Sequence, residues 1–393
     1  MPSKDSSPTP RKPKSERPAS PKALQADPDP IPGRLAALRE LMSQRNVASL
    51  LVLSPENRRY FSGFKAQDST LTESSGALFI DHGRQALLTD SRYTLAAAKE
   101  APLFEIVACR RGLGSGLREL APSPSSPIHY EPDYVTVSVL RHLEESLARE
   151  KVAFSPSPFN PSRPRIVKSP LETRLIQKAV NITEKALALL WDELEPGVPE
   201  EWAAQFLESK FRELGGDGVA FPSIVAVGAN AALPHAEPGK KKIGKSEMVI
   251  VDCGARYRGY CSDMTRTYVP AKPLGWQKEI YKIVRDAQLL AMEEIKAGVA
   301  GSLVDKAARD YIAKYGYGDY FQHSLGHGVG LQIHEEPRLS PNAIHEPLLA
   351  GSLVTVEPGI YLPGKGGVRL EDLVLITEKG FANLNSAINF YYF

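Results

Sequence analysis

One succession occurs twice in this chain, roughly 100 residues apart: two amphipathic helices followed by a hairpin of apolar strands. Such an internal duplication builds a pseudo-twofold domain, and its natural site lies between the halves. The first copy opens at Ser169, which can cap a helix, with Pro170 suited to the first helical position and Glu172 completing S-x-x-E. Leu171, Leu175, Ile176, Ala179, Ile182, Ala186, Leu187 and Leu190 recur at three- and four-residue intervals and predict one buried face. EPG at 195–197 ends that helix, and a second carries Trp202, Phe206, Leu207, Phe211 and Leu214 before Gly215-Gly216. Strand-like segments follow at 220–228, 247–256 and 259–269. In the second copy a helix runs from about Trp276 to Lys296, Ser302-x-x-Asp305 predicts the cap of another, and strands follow at 352–362 and 367–377.

Each hairpin carries two carboxylates. Asp252 ends an apolar run, where a charged side chain is expensive, and Asp263 follows 11 residues later, after a turn with Gly259. Pairing about a Tyr257–Arg258 midpoint would set Asp252 opposite Asp263, with β-carbons about 5 Å apart. Glu357 and Glu371 flank PGKGG in the same manner, about a midpoint at Gly364. Like charges directly opposite destabilise a ladder, and divalent cations are the obvious counter-charge. A nitrogen ligand is at hand in HSLGHGVG, where Gly326 and Gly328 let the backbone come close while His327 projects. Two aspartates, a histidine and two glutamates suit Mn, Co, Fe or Zn better than Ca or Mg, because imidazole favours the transition series. Five ligands with bridging carboxylates fit two metals about 3.5–4 Å apart holding a hydroxide.

The rest of the chain frames this domain. Residues 1–32 are rich in Pro, Ser, Lys and Asp and predict a disordered tail. From 33 to 154, short strand-like runs alternate with helical stretches, the pattern of a compact α/β domain, and Pro- and Ser-rich 155–165 reads as a linker to the domain at 166–393. GKKKIGKS at 239–246 fits the phosphate-loop pattern letter for letter. It leads into a strand with no helix after it, so the amides have no helix N-terminus to join, and we read a solvated connection. GLGSG at 112–116 lacks the dinucleotide-fingerprint spacing and reads as a plain loop. A net charge of +2 argues against an obligate nucleic-acid partner. No run approaches the roughly 20 apolar residues of a membrane span. Three cysteines without C-x-x-C spacing suit free thiols in a reducing cytoplasm.

VDCGARYRGYCSDMTRT, HSLGHGVGLQIHEEPRLSP, VEPGIY and GVRLEDLVLIT together resemble the metal-dependent pita-bread peptidases of family M24, and within them the Xaa-Pro group of aminopeptidase P and prolidase. NRRYFSGF at 57–64 looks like part of the creatinase-type N-terminal domain that accompanies them. The resemblance implies an α/β creatinase-like domain followed by an α+β pita-bread domain with internal pseudo-twofold duplication. It further implies two divalent metal ions, manganese foremost, in a cytoplasmic homodimer that acts on peptides with proline at the second position. By matching position, Asp252 would bind one metal, Asp263 and Glu371 would bridge both, and His327 with Glu357 would complete the second. Glu357 also matches the carboxylate that takes a proton from water. His235 and His334 match histidines that hold the substrate and stabilise developing charge, Arg369 an arginine that supports the site, and His323 a neighbouring catalytic-site histidine. The expected activity is that of an Xaa-Pro aminopeptidase. Prolidase, which cleaves Xaa-Pro dipeptides, is the close alternative. A catalytically inactive peptide-binding module of the same fold is less favoured, because all five ligand positions are filled.

Overall fold

The computed structural model describes residues 30–68, 70, 72–120, 126–269, 273–345 and 347–385. The expected disordered tail lies outside them except at its end, where Ile31 and Pro32 already belong to the first helix. Two compact units divide the chain, one spanning Gln25–Arg165 and the other containing Ile166–Phe393. Among the described residues, no helix is long and apolar enough to cross a membrane.

The first unit is α/β. Its strands β1 (Ser49–Val52), β2 (Ala77–Asp81), β3 (Gln85–Thr89), β4 (Glu105–Ala108), β5 (Ile128–Tyr130) and β6 (Phe154–Pro156) form one sheet, ordered β4-β3-β2-β1-β5-β6. All run the same way except β2. Helices α1 (Ile31–Gln44), α2 (Pro55–Ser62), α3 (Thr94–Glu100), α4 (Leu113–Glu119) and α5 (Val137–Ser146) connect them. Two expectations are corrected here. GLGSG is not a plain loop but the start of α4, and its glycines serve close packing: a β-carbon on Gly116 would lie 2.5 Å from Cys109 Sγ. Residues 155–165 are not a free linker. Phe154–Pro156 is an edge strand, where proline is tolerated, and buried Arg165 donates to Asn57 Oδ1 at 2.9 Å.

In the second unit the duplication is explicit. Helices α6 (Pro170–Glu193) and α7 (Glu200–Glu213) precede β7 (Gly218–Val219), β8 (Ile224–Val227), β9 (Val249–Cys253), β10 (Ala255–Tyr257), β11 (Tyr260–Cys261) and β12 (Met264–Tyr268). Helices α8 (Gly275–Glu293) and α9 (Gly301–Lys314) precede β13 (Gly326–Gly328), β14 (Glu335–Leu339), β15 (Leu353–Val356), β16 (Gly359–Leu362), β17 (Gly366–Arg369), β18 (Asp372–Ile376) and β19 (Phe381–Asn383). The central sheets are β12-β9-β8 in one half and β14-β13-β15-β18-β19 in the other. Each half has its own core, with Leu187, Leu207, Phe211, Val249 and Val251 in the first and Ile280, Val284, Ile312, Val354 and Val374 in the second. Each such side chain contributes about 1.5–3 kcal/mol on burial. The segment 239–246 turns directly into β9, with no helix after it.

Ser169 caps α6 in a full capping box with Glu172. Leu171 and Leu175, expected on the buried face, are only half-buried, whereas Glu172 is buried and accepts the Tyr260 hydroxyl at 3.0 Å. Trp202 is also exposed. Helix α9 is capped by the backbone of Ala300 and not by Ser302; Asp305 instead holds Arg309 at 2.8 Å and the Leu325 amide at 3.0 Å.

The register of the first hairpin differs from expectation by two residues. Tyr257 pairs with Tyr260, so Asp252 faces Thr265 and not Asp263. The cause is the turn: Arg258 and Gly259 have φ of 47° and 81°, the pair of positive values that a two-residue hairpin turn requires. A shift of two leaves every side chain on its original face. The two aspartates therefore share a face as diagonal neighbours, which relieves the direct opposition. In the second hairpin the Gly359–Arg369 and Val356–Asp372 pairs keep the expected midpoint.

Candidate metal centre

Both hairpins break where their acids lie. β9 gives way to β10 at Gly254, where a β-carbon would lie 2.0 Å from the Ser262 carbonyl, and Ser262-Asp263 separates β11 from β12. Glu357-Pro358 separates β15 from β16, and Leu370-Glu371 separates β17 from β18. The halves are sewn together beside these breaks: the Glu371 amide donates to Thr265 O at 3.1 Å, Thr267 Oγ1 donates to Arg369 O at 2.9 Å, and Arg266 pairs with Asp372 at 2.6 Å. His327 arrives on β13 between two glycines. A β-carbon on Gly326 would meet Thr355 O at 2.0 Å, and one on Gly328 would meet Glu336 O at 2.3 Å, so only glycine lets this strand pass.

The structure brings Asp263, His327 and Glu371 together, with one ligand atom from each within 4.8 Å of the others. His327 Nδ1 lies 3.1 Å from the Gly328 carbonyl and donates to it, which fixes the ring and aims Nε2 at the carboxylates. Its Nε2 faces Asp263 Oδ2 at 3.6 Å and Glu357 Oε1 at 3.3 Å. Asp252 stands beyond this trio, its Oδ2 accepting from Arg369 Nη2 at 2.7 Å. Glu371 Oε2 accepts from Thr265 Oγ1 at 2.7 Å. The second oxygens, Asp252 Oδ1 and Glu371 Oε1, are buried without a hydrogen-bond partner among the described residues. One anchored and one bare oxygen on each of two buried carboxylates, beside an imidazole nitrogen, is the donor set a cation completes.

The electrostatics agree. Burial first, then the charges of Glu371, Asp252 and Glu357, hold the Asp263 carboxyl well above its usual range. Burial, then Glu357 and Asp252, do the same to Glu371. Asp252 is also raised by burial, against the pull of Arg369. Burial pushes Glu357 up too, but the hydrogen bond from His327 and the charges of His327, His323 and Arg369 outweigh it and leave its pKa at about 2. Burial and mutual repulsion thus oppose full ionisation of the metal-free cluster, the charge that cations would neutralise.

Around this cluster stand the other predicted residues. The His334 ring lies edge-on to His327, 4.2 Å between centroids, and desolvation with the nearby His327 charge lowers its pKa to about 4. His235 is exposed on the segment after the short helical turn at 228–232, near enough for its charge to bear on His334. Arg369 donates to Asp252, to the Tyr361 hydroxyl at 2.8 Å and to the Pro234 carbonyl at 3.2 Å. His323 has both ring nitrogens engaged, Nδ1 by Ser324 O at 2.8 Å and Nε2 by the Tyr361 hydroxyl at 2.9 Å; it braces Tyr361. Thr265, Thr355 and Tyr361 are the site residues that sequence reasoning missed. Each lies an even number of positions from Asp263 or Glu357, so strand periodicity places it on the acids' face without showing what it anchors.

Known proteins match this arrangement over most of the chain. Residues 174–378 match metallopeptidase family M24, and residues 34–163 match the creatinase/prolidase N-terminal domain. An Xaa-Pro dipeptidase of Pyrococcus furiosus is 36% identical over 351 residues, which cover 89% of this chain and 97% of that protein. The chain belongs to metallopeptidase family M24. Among solved structures, an Xaa-Pro dipeptidase from Bacillus anthracis aligns with a TM-score of 0.84 at 35% identity, covering 91% of this chain and 98% of that one. An X-Pro aminopeptidase from Thermotoga maritima aligns with a TM-score of 0.82 at 34% identity, covering 91% and 99%. This M24 peptidase thus has the expected two-domain architecture, and membership of the family implies divalent metal ions at the carboxylate cluster.

Proposed function

We propose that this M24 peptidase is a two-metal exopeptidase that hydrolyses the bond between an N-terminal residue and a following proline. The observation that carries the proposal is the convergence of Asp263, His327 and Glu371, flanked by Asp252 and Glu357, with bare buried oxygens on two of the carboxylates. Asp252, Asp263, His327, Glu357 and Glu371 would hold the cations, manganese first among Mn, Co, Zn and Fe. Bound there, they would supply Lewis acidity, which lowers the pKa of water and stabilises negative charge on a carbonyl oxygen.

The chain's own groups do the rest. Glu357, ionised at neutral pH, takes the proton from the attacking water and returns it to the prolyl nitrogen as the C–N bond breaks. An amide nitrogen is too poor a leaving group as its anion, so the prolyl nitrogen leaves only once protonated. His334 is neutral and offers an uncharged N–H to the carbonyl oxygen as charge develops, with His235 beside it. Arg369 fixes Asp252, and Thr265 fixes Glu371, so that neither carboxylate turns away. Three free, buried cysteines fit action in a reducing cytoplasm.

The sequence favours an aminopeptidase. A specific observation favours the dipeptidase reading equally: relatives that span nearly the whole chain carry that name. Manganese-loaded protein is offered Phe-Pro and Phe-Pro-Ala, beside an EDTA-treated control. Cleavage of the tripeptide at Phe–Pro establishes the aminopeptidase, and cleavage of the dipeptide alone the dipeptidase. Silence on both, with metal verified in the protein, overturns the enzymatic proposal in favour of a binding module.

A further inference from the structure

Among the described residues no side chain hydrogen-bonds the His235 ring, so its place in the site is set by the backbone that carries it. That backbone runs from the end of β8, through a short helical turn at Gly228–Ala232, to Gly239. Both ends converge on one buried carboxylate. Glu200, the first residue of α7, is 1% exposed. Its Oε1 accepts from the Val227 amide at 2.7 Å and from Asn230 Nδ2 at 2.9 Å. Its Oε2 accepts from the Gly239 amide at 3.0 Å and from the same Asn230 nitrogen at 3.2 Å. Backbone bonds from Glu200 N to Lys241 O at 3.0 Å and from Glu201 N to Gly239 O at 2.9 Å hold the outgoing segment to the helix start. At its far side the loop touches the site through Pro234 O, which receives Arg369 Nη1.

We propose that Glu200 is a positioning residue for catalysis, a clamp that closes the base of the 228–239 loop and so sets where His235 stands. This rests on the reading of His235 as a substrate-holding group. The chemistry requires a carboxylate, because every partner is an N–H donor and only an acceptor-only group satisfies them all. Glutamine of the same shape would turn an NH2 toward the Val227 or Gly239 amide and leave that donor buried and unpaired. One end of the loop would then open without any change in a ligand of the metal cluster.

The test is a double-mutant cycle on the full metal-loaded chain, with Glu200→Gln, His235→Ala and the double variant assayed for kcat and KM on an Xaa-Pro peptide and for bound metal. We expect H235A to lose activity by more than about tenfold, E200Q to lose several-fold at unchanged metal content, and the double variant to equal H235A. Amide hydrogen exchange in E200Q accelerates at residues 227–239 and stays slow in β9. If H235A turns over like wild type, the role of His235 falls and the proposal with it. An impaired H235A whose loss multiplies with that of E200Q overturns the clamp alone, as does exchange that accelerates equally in β9. Should E200Q fail to fold, Asn230→Ala removes only the bridging donor. It should give a smaller loss that again vanishes in the H235A background, and a loss that persists there refutes the coupling.

Discussion

Stripping the metal with EDTA and titrating manganese back at two pH values tests the electrostatic account of the site. In the metal-free protein burial and then the charges of neighbouring carboxylates hold Asp263 and Glu371 well above the usual carboxylate range, while Glu357 has a pKa of about 2. Metal binding requires ionised carboxylates, so each raised group must release its proton as the cation enters. A group raised in the metal-free state makes binding weak at low pH, and affinity climbs with pH until that group's own pKa is passed. Each proton released is worth about 1.4 kcal/mol, or tenfold in affinity, per pH unit. While both raised groups still hold their protons, affinity should climb by up to about 100-fold per pH unit, and more gently once either has ionised. Above pH 7 His334 and His323, both with lowered pKa, are already neutral and add nothing to the slope. Calorimetric titration in two buffers of different ionisation enthalpy counts the protons directly. Glu371→Gln should bind metal more weakly and release about one proton fewer. Binding without proton release, or with an affinity that falls as pH rises, refutes the reasoning. The same sign governs stability. Raised carboxyls stabilise the metal-free fold at low pH and lose that contribution as pH climbs toward their folded values. EDTA-treated protein should therefore melt at progressively lower temperature as pH is raised above the ordinary carboxylate range of about 4, by more than the loaded protein does.

Other perturbations probe single contacts. Thr265→Val removes the hydroxyl that holds both Glu371 and Arg369 Nε. It should lower kcat/KM or metal affinity about 10–100-fold, and wild-type values for both would show that the anchor is dispensable. Asp263→Ala should abolish turnover together with metal binding; near-normal activity would sink the two-metal assignment. His334→Ala should lower kcat more than it raises KM, since it removes a contact made in the transition state, and a pure KM effect would assign it to ground-state binding. Arg266→Met leaves Asp372 buried without its ion pair, 2.6 Å in the native protein. It should cost about 3–5 kcal/mol in denaturant unfolding, and a loss below about 1 kcal/mol would mean that water reaches the seam.

What could be read from the chain divides by how local its cause is. The capping box at Ser169, the duplicated helix–helix–hairpin order and the glycines around His327 are short-range patterns, and all three stand in the structure. The first hairpin was misplaced by two residues although its determinant, Arg258-Gly259, is also local: a two-residue turn with positive φ at both positions fixes the pairing. The carboxylates survived that error because strand faces repeat every two residues. GLGSG was misread for a different reason, since glycines that admit a helix close to Cys109 look the same in sequence as glycines in a loop.

The residues that orient the ligands were hidden by distance along the chain. Thr265 meets Glu371 across 106 positions, Arg369 meets Asp252 across 117, and Glu200 reaches Gly239 across 39. None of these pairings follows from periodicity, because each exists only once the two halves have closed or a loop has returned to its helix. The proposed ligands were legible since a charged residue at the end of an apolar strand conflicts with its surroundings and demands an explanation. A threonine in a strand creates no such conflict. The same physics that makes an anchoring residue inexpensive to bury therefore makes it inconspicuous in sequence, and the geometry of the closed site is what gives it a role.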